Sequence, residues 1–218
     1  MLTRIDHVAI GVADLRAGIA AYTRIGFDVD ERGVARNDGD HLELVRSGDG
    51  LQSIAIASDD LAADSAWGSV DYIKLVEKKN AQPASHHPNG AQRIERVYIA
   101  VRDVAAAAAK YSRVLGAPAK MERGTVIHAD MAIFQLGLTA LGLAQPAAPG
   151  VTADALARRG PGPFQILYRT SSMDAAAKWM ADHGLPPPAR GIRNTGERAM
   201  LVMPEHACGV VIGFVGPA

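Results

Sequence analysis

The strongest constraint in this chain is internal. Ile5-Asp6-His7-Val8-Ala9-Ile10-Gly11-Val12-Ala13-Asp14 returns as Ile94-Glu95-Arg96-Val97-Tyr98-Ile99-Ala100-Val101-Arg102-Asp103. The same offset carries Tyr22 onto Tyr111 and Arg24 onto Arg113, and Gly26 answers to Gly116 after one added residue. Self-similarity at fixed spacing marks a duplicated supersecondary unit, so the chain folds as repeats of one motif. The copies differ where chemistry matters. Position 7 is histidine and its counterpart, position 96, is arginine.

Each copy reads as a strand followed by a helix. Ile5, His7, Ala9 and Gly11 alternate with Asp6, Val8, Ile10 and Val12, which predicts a strand with these two sets on opposite faces. Asp14 caps a helix whose apolar positions Leu15, Ile19, Tyr22 and Ile25 recur at helical spacing, and Gly26 ends it. Strands are expected at Phe27–Glu31 and His41–Val45. The second unit is shorter: strand Leu51–Ala57, helix Asp59–Trp67, strand Val70–Val76. The third repeats the first, with strand Ile94–Val101, an alanine-rich helix Asp103–Leu115 and three strands ending at Ala144. After a Pro/Gly connector (Pro146 to Pro163) the fourth offers strand Phe164–Arg169, helix Met173–His183 and strands Gly196–Met203 and Gly209–Val215. The expected class is α+β: four tandem βαβββ modules, the second abbreviated, forming open curled mixed β-sheets around a cleft. Residues 1–80 and 93–218 form the two module pairs. The Pro- and Gly-bearing stretch 81–92 is the expected linker.

Composition narrows the partners. Lys+Arg and Asp+Glu both number 23, so the formal net charge is zero and nothing steers the chain to nucleic acid or an anionic membrane. No apolar run approaches membrane-spanning length, and the amino terminus lacks a secretion pattern. Cys208 is the one cysteine, which rules out an intrachain disulfide and a thiolate cluster for zinc. These features describe a cytoplasmic protein whose partner is a small molecule.

Three passages are similar to the vicinal oxygen chelate superfamily of glyoxalases, extradiol dioxygenases and bleomycin-resistance-type binding proteins. They are Asp6 to Leu15, the strand His41-Leu42-Glu43-Leu44-Val45, and Ala199 to Ile212. The resemblance implies paired modules curled around a cleft, with a divalent metal held from the opening and closing strands of each unit. His7 and Glu43 stand at those positions in the first unit, Ser53 and Lys74 in the second, Arg96 and Gly142 in the third, Gln165 and Gly213 in the fourth. Arginine keeps its proton and glycine has no side chain, so an extradiol-type iron site in the second half is not expected.

Read for chemistry, His7, Glu43 and His41 are the metal candidates, and Mn, Fe, Ni or Zn suits imidazole and carboxylate donors. Without metal, His7 and Glu43 form a hydrogen-bonded pair in which Glu43 serves as a general base. Arg96, Tyr98, Gln165 and Arg169 are the expected substrate-binding face, two guanidinium groups and a phenol suited to a carboxylate or phosphate. Arg96 can instead pair with Glu95 or Glu122. Gly142 and Gly213 are expected to enlarge that cleft. His86-His87 reads as a solvated turn, and Cys208 as a weakly reactive pocket thiol. Two functions follow: a protein acting on or binding a small, anionic, oxygenated metabolite, by metal-assisted lyase, isomerase or dioxygenase chemistry if it is an enzyme; or a metal-free sequestering protein of the bleomycin-resistance type. The exposed sheet edges of the shortened unit allow self-assembly, a homodimer being the simplest case.

Overall fold

A computed structural model describes residues 1–80 and 82–217; Ala81, where the expected linker begins, and Ala218, the last residue, lie outside them. The chain runs β1 (Leu2–Val12), α1 (Leu15–Ile25), β2 (Val34–Arg36), β3 (His41–Arg46), β4 (Gly50–Ser58), α2 (Leu61–Ser65) and β5 (Ile73–Glu77). The second half follows with β6 (Ala91–Ala100), α3 (Val104–Leu115), β7 (Lys120–Gly124), β8 (Ala129–Leu136), β9 (Thr139–Pro146), α4 (Val151–Arg159), β10 (Gly162–Thr170), α5 (Met173–Asp182), β11 (Ala189–Ile192), β12 (Arg198–Val202) and β13 (Val211–Gly216). The strands form two curled mixed sheets, β2-β3-β1-β4-β5 and β11-β12-β13-β10-β6-β9-β8-β7. The fold is α+β, with the second sheet complete and the first reduced. Among the described residues, no helix is long and apolar enough to cross a membrane.

The repeat is visible in the caps. Asp14 accepts the Ala17 N–H at 2.7 Å and Asp103 the Ala106 N–H at 2.9 Å. Both helices end at glycines in the left-handed region, Gly26 at φ 98° and Gly116 at φ 62°. Packed between the sheets and under the helices is one apolar cluster that draws on both halves, from Ile5, Val8 and Ile10 to Ile94, Val97, Tyr168 and Phe214. A second cluster lies on the cleft side of the larger sheet, with Tyr98, Ile133, Phe164, Leu167 and Leu201; Val151 and Leu156 of α4 pack against it.

Four expectations need correction. Phe27–Glu31 is not a strand: the Asp30 carboxylate accepts the N–H groups of Arg32 and Val34, and this local turn withdraws the segment from pairing. The Pro146–Pro163 connector contains the helix α4. His87 is not solvated. It is 3% exposed, its Nδ1 accepts the Asp28 N–H at 3.0 Å, and its ring meets Phe27 edge-on. Burial lowers its pKa, so it stays neutral.

The fourth correction concerns β1. The pairing of β1 with β4 joins Ile5 to Ile56 and His7 to Ala55, leaving Asp6 as the extra residue of a bulge. Ile5, Val8, Ile10 and Val12 therefore enter the core, while Asp6 turns to the side of His7. In the second half Leu167 faces Arg96 and Tyr168 faces Ile94, so Glu95 is the matching bulge residue.

Candidate functional site

The first-half face is built where β1 and β3 run parallel, His7 beside His41 and Ala9 beside Glu43. His7 Nε2 lies 3.8 Å from Glu43 Oε1, and the His7 and His41 rings stack at 4.8 Å. Asp6 Oδ2 is 2.9 Å from His7 Nδ1. Asp6, His7 and His41 bring ligand atoms within 4.8 Å of one another. The hydrogen bond with His7 is the main reason that the Asp6 carboxyl titrates below its ordinary range. Burial first, then the neighbouring His7, lowers the His41 pKa, which keeps its imidazole neutral and its lone pair free.

This donor set fits a divalent metal. Asp6 engaging Nδ1 fixes the His7 ring and leaves Nε2 toward Glu43, the carboxylate–imidazole arrangement that orients metal-bound histidines. Sequence reasoning placed His7, His41 and Glu43 together but missed Asp6, since strict alternation puts it on the opposite face. The only local signal was two adjacent polar residues inside an apolar strand.

The second-half cleft has different chemistry. It encloses about 620 Å³ including its mouth, and Arg96, Tyr98, Glu122, Gln165, Leu167 and Arg193 contribute to its lining. Arg96 Nη1 donates to Glu122 Oε1 at 2.9 Å and to the Tyr98 hydroxyl at 3.3 Å. Among the described residues its Nε is buried without an acceptor, and Gln165 Oε1 without a donor. Burial works against the Arg96 charge, but Tyr98 and Glu122 outweigh it and hold the proton more tightly than usual. Burial likewise raises the Tyr98 pKa, so the phenol keeps its proton. Arg96 thus forms the expected pair with Glu122 while still lining the cleft.

Arg169 is not a cleft residue. It pairs with Glu95 and Glu197, and Arg193 closes the ring at 2.7 Å to Glu95 and 2.8 Å to Glu197. This alternating quartet ties the loop between β11 and β12 to β6 and β10, and Arg193 takes the lining position expected of Arg169. No local pattern could show the whole ring, because Arg193 and Glu95 are 98 residues apart.

The glycines also differ from expectation. A Cβ at Gly142 would lie 2.7 Å from the Tyr98 ring, and one at Gly213 2.7 Å from the Leu167 side chain. Gly142 and Gly213 do not widen the cleft; they let Tyr98 and Leu167 lie against the backbone of neighbouring strands. Gln165, 1% exposed, is the remaining side chain at the family's metal positions beside Arg96. Arginine, glutamine and two glycines do not fit a metal. Cys208 sits half-buried with φ 51°, its thiol pKa raised chiefly by burial, which makes it a poor nucleophile.

The family described as "Glyoxalase/Bleomycin resistance protein/Dioxygenase superfamily" matches residues 95–202. The second half belongs to that superfamily. Methylmalonyl-CoA epimerase from Mycobacterium tuberculosis is similar at 25% identity, covering 59% of this chain and 90% of its own, with a TM-score of 0.51. A Streptomyces coelicolor methylmalonyl-CoA epimerase variant, in complex with 2-nitronate-propionyl-CoA, matches at 26% identity over 59% of this chain and 96% of its own, again at 0.51. A mutant of 4-hydroxymandelate synthase from Streptomyces coelicolor covers 100% of this chain and 93% of its own with a TM-score of 0.75. At 14% identity that last likeness concerns the fold alone, and it extends the superfamily fold over both halves. No curated protein matches the sequence.

Proposed function

We infer that this superfamily member binds a small, anionic, oxygenated organic metabolite in its second-half cleft, using the Arg96 guanidinium where relatives of this fold use a metal. One observation carries the reading: a permanently charged side chain stands in a cleft walled by Leu167, Leu201, Ile127 and Met131. A pocket of apolar walls and few convergent polar groups is the usual form of a small-molecule site. Arg96 and Arg193 supply donors for a carboxylate, while the Tyr98 hydroxyl and Gln165 address further oxygens. An epimerase at 26% identity is known in complex with methylmalonyl-CoA, an oxygenated anion of this class. Equilibrium binding of small carboxylates, compared between wild type and Arg96→Ala, tests the assignment.

The His7–Glu43 approach favours a second reading for the first half. His7 and His41 would hold one divalent ion, Mn, Fe, Ni or Zn, with Asp6 orienting His7 and Glu43 serving either as a further ligand or as the base. Bound there, the ion would act as a Lewis acid on an oxygen of the ligand. Glu43 would accept a proton from carbon or oxygen, His7 would orient it, and the chemistry would be that of a lyase, isomerase or dioxygenase. Elemental analysis of wild type and His7→Ala tests this reading separately.

A further inference from the structure

Beside the first-half cluster lies a separate cavity of about 660 Å³ including its mouth, at the start of β1 and β3. Asp6 and His41 form part of its wall, so it opens directly onto the metal-capable group. Three cations from three segments converge on it: Arg4 from β1, Arg36 from β2 and Lys79 from the stretch after β5. Arg36 stands directly opposite His41 in the pairing of β2 with β3. Arg4 Nε is buried without an acceptor among the described residues, although Nη2 reaches the Lys79 carbonyl at 3.3 Å. Asn37, 2% exposed, also lines the cavity.

We propose that this cavity is an anion-binding subsite that seats the carboxylate or phosphate of a small molecule between Arg4, Arg36 and Lys79. The charges already present argue against a purely structural role for the three cations. Asp30 pairs with Arg36 at 2.9 Å, Asp6 is 3.8 Å from Arg4 but engaged with His7, and Asp40, a third carboxyl of the wall, is engaged by Asn37 Nδ2 and the Ile94 N–H. Lys79 is exposed and lines the cavity. An oxyanion here places the rest of its molecule against Asp6 and His41, which gives the first-half face a ligand of its own, independent of the second-half cleft.

The test is calorimetric titration of chelator-treated protein with two probes, inorganic phosphate and malonate. Arg36→Ala, Lys79→Glu and Arg96→Ala are titrated alongside, with circular dichroism to check folding. The expected result is a saturable site for at least one probe that persists in Arg96→Ala, whatever carboxylate binding the second-half cleft loses there, and that is weakened about tenfold or more by Lys79→Glu and Arg36→Ala, as for loss of one charge-assisted contact. Tighter phosphate binding assigns a phosphate ester and tighter malonate binding a carboxylate. Absence of saturable binding, or a loss that follows Arg96→Ala and spares Lys79→Glu, overturns the proposal. Lys79→Glu changes an exposed side chain, so its result stands even if Arg36→Ala fails to fold.

Discussion

Asp6 and His7 are neighbours in sequence yet turn to the same side of β1, with the Asp6 carboxylate 2.9 Å from His7 Nδ1. The bulge that makes this possible recurs at Glu95–Arg96, so one backbone device serves both halves. In the first half it aims a carboxylate at an imidazole. In the second, Glu95 is held by Arg169 and Arg193, and Arg96 lines the cleft paired with Glu122.

His7→Ala is expected to abolish stoichiometric binding of Mn, Fe, Ni or Zn. Asp6→Asn, which weakens the orienting bond, should reduce metal affinity by about 10–100-fold. Metal content and competition with a fluorescent chelator measure both. Equal metal occupancy in wild type and His7→Ala would remove the first-half metal reading.

Gly142→Ala places a methyl 2.7 Å from the Tyr98 ring. Overpacking of this kind costs about 1–3 kcal/mol. Thermal unfolding should show the loss, and because the displaced ring carries the hydroxyl that meets Arg96, anion affinity should fall as well. A variant as stable as wild type would contradict the tight packing.

Asp40 gives a pH prediction. Burial pushes its carboxyl from 3.8 to about 7, even though it accepts hydrogen bonds from Asn37 and the Ile94 N–H. The folded state then holds a proton that the unfolded chain releases, so this group's contribution is full below about pH 4 and is lost as pH rises through 7. The linkage amounts to roughly 4 kcal/mol across that window. Asp40→Asn keeps the shape without the charge. The unfolding midpoint of wild type relative to Asp40→Asn should therefore fall between pH 5 and pH 8, and a pH-independent difference would contradict the assignment.

Much of the fold was legible because it is carried by local pattern. The duplicated strand–helix segment, Asp14 with Gly26 and Asp103 with Gly116 each express themselves within a few turns of chain. What sequence could not show depends on register or on distant partners. The bulge at Asp6 is set by pairing with β4. Arg169 leaves the cleft because Glu95 and Glu197 claim it, and His87 is buried because Phe27 receives it. His7, His41 and Glu43 could be grouped from sequence because two parallel strands with period-two faces bring them together.

The account rests most heavily on Arg96 as an anion-binding cation, and one titration addresses it. Wild type and Arg96→Ala are titrated with a panel of small oxygenated carboxylates, salicylate among them, and with the corresponding neutral amides. The account predicts that at least one carboxylate saturates wild type and binds about tenfold or more weakly to Arg96→Ala, as loss of a charge-assisted contact requires, with its amide equally impaired. Binding that ignores both the charge of the ligand and the loss of Arg96, or no binding across the panel, would contradict it.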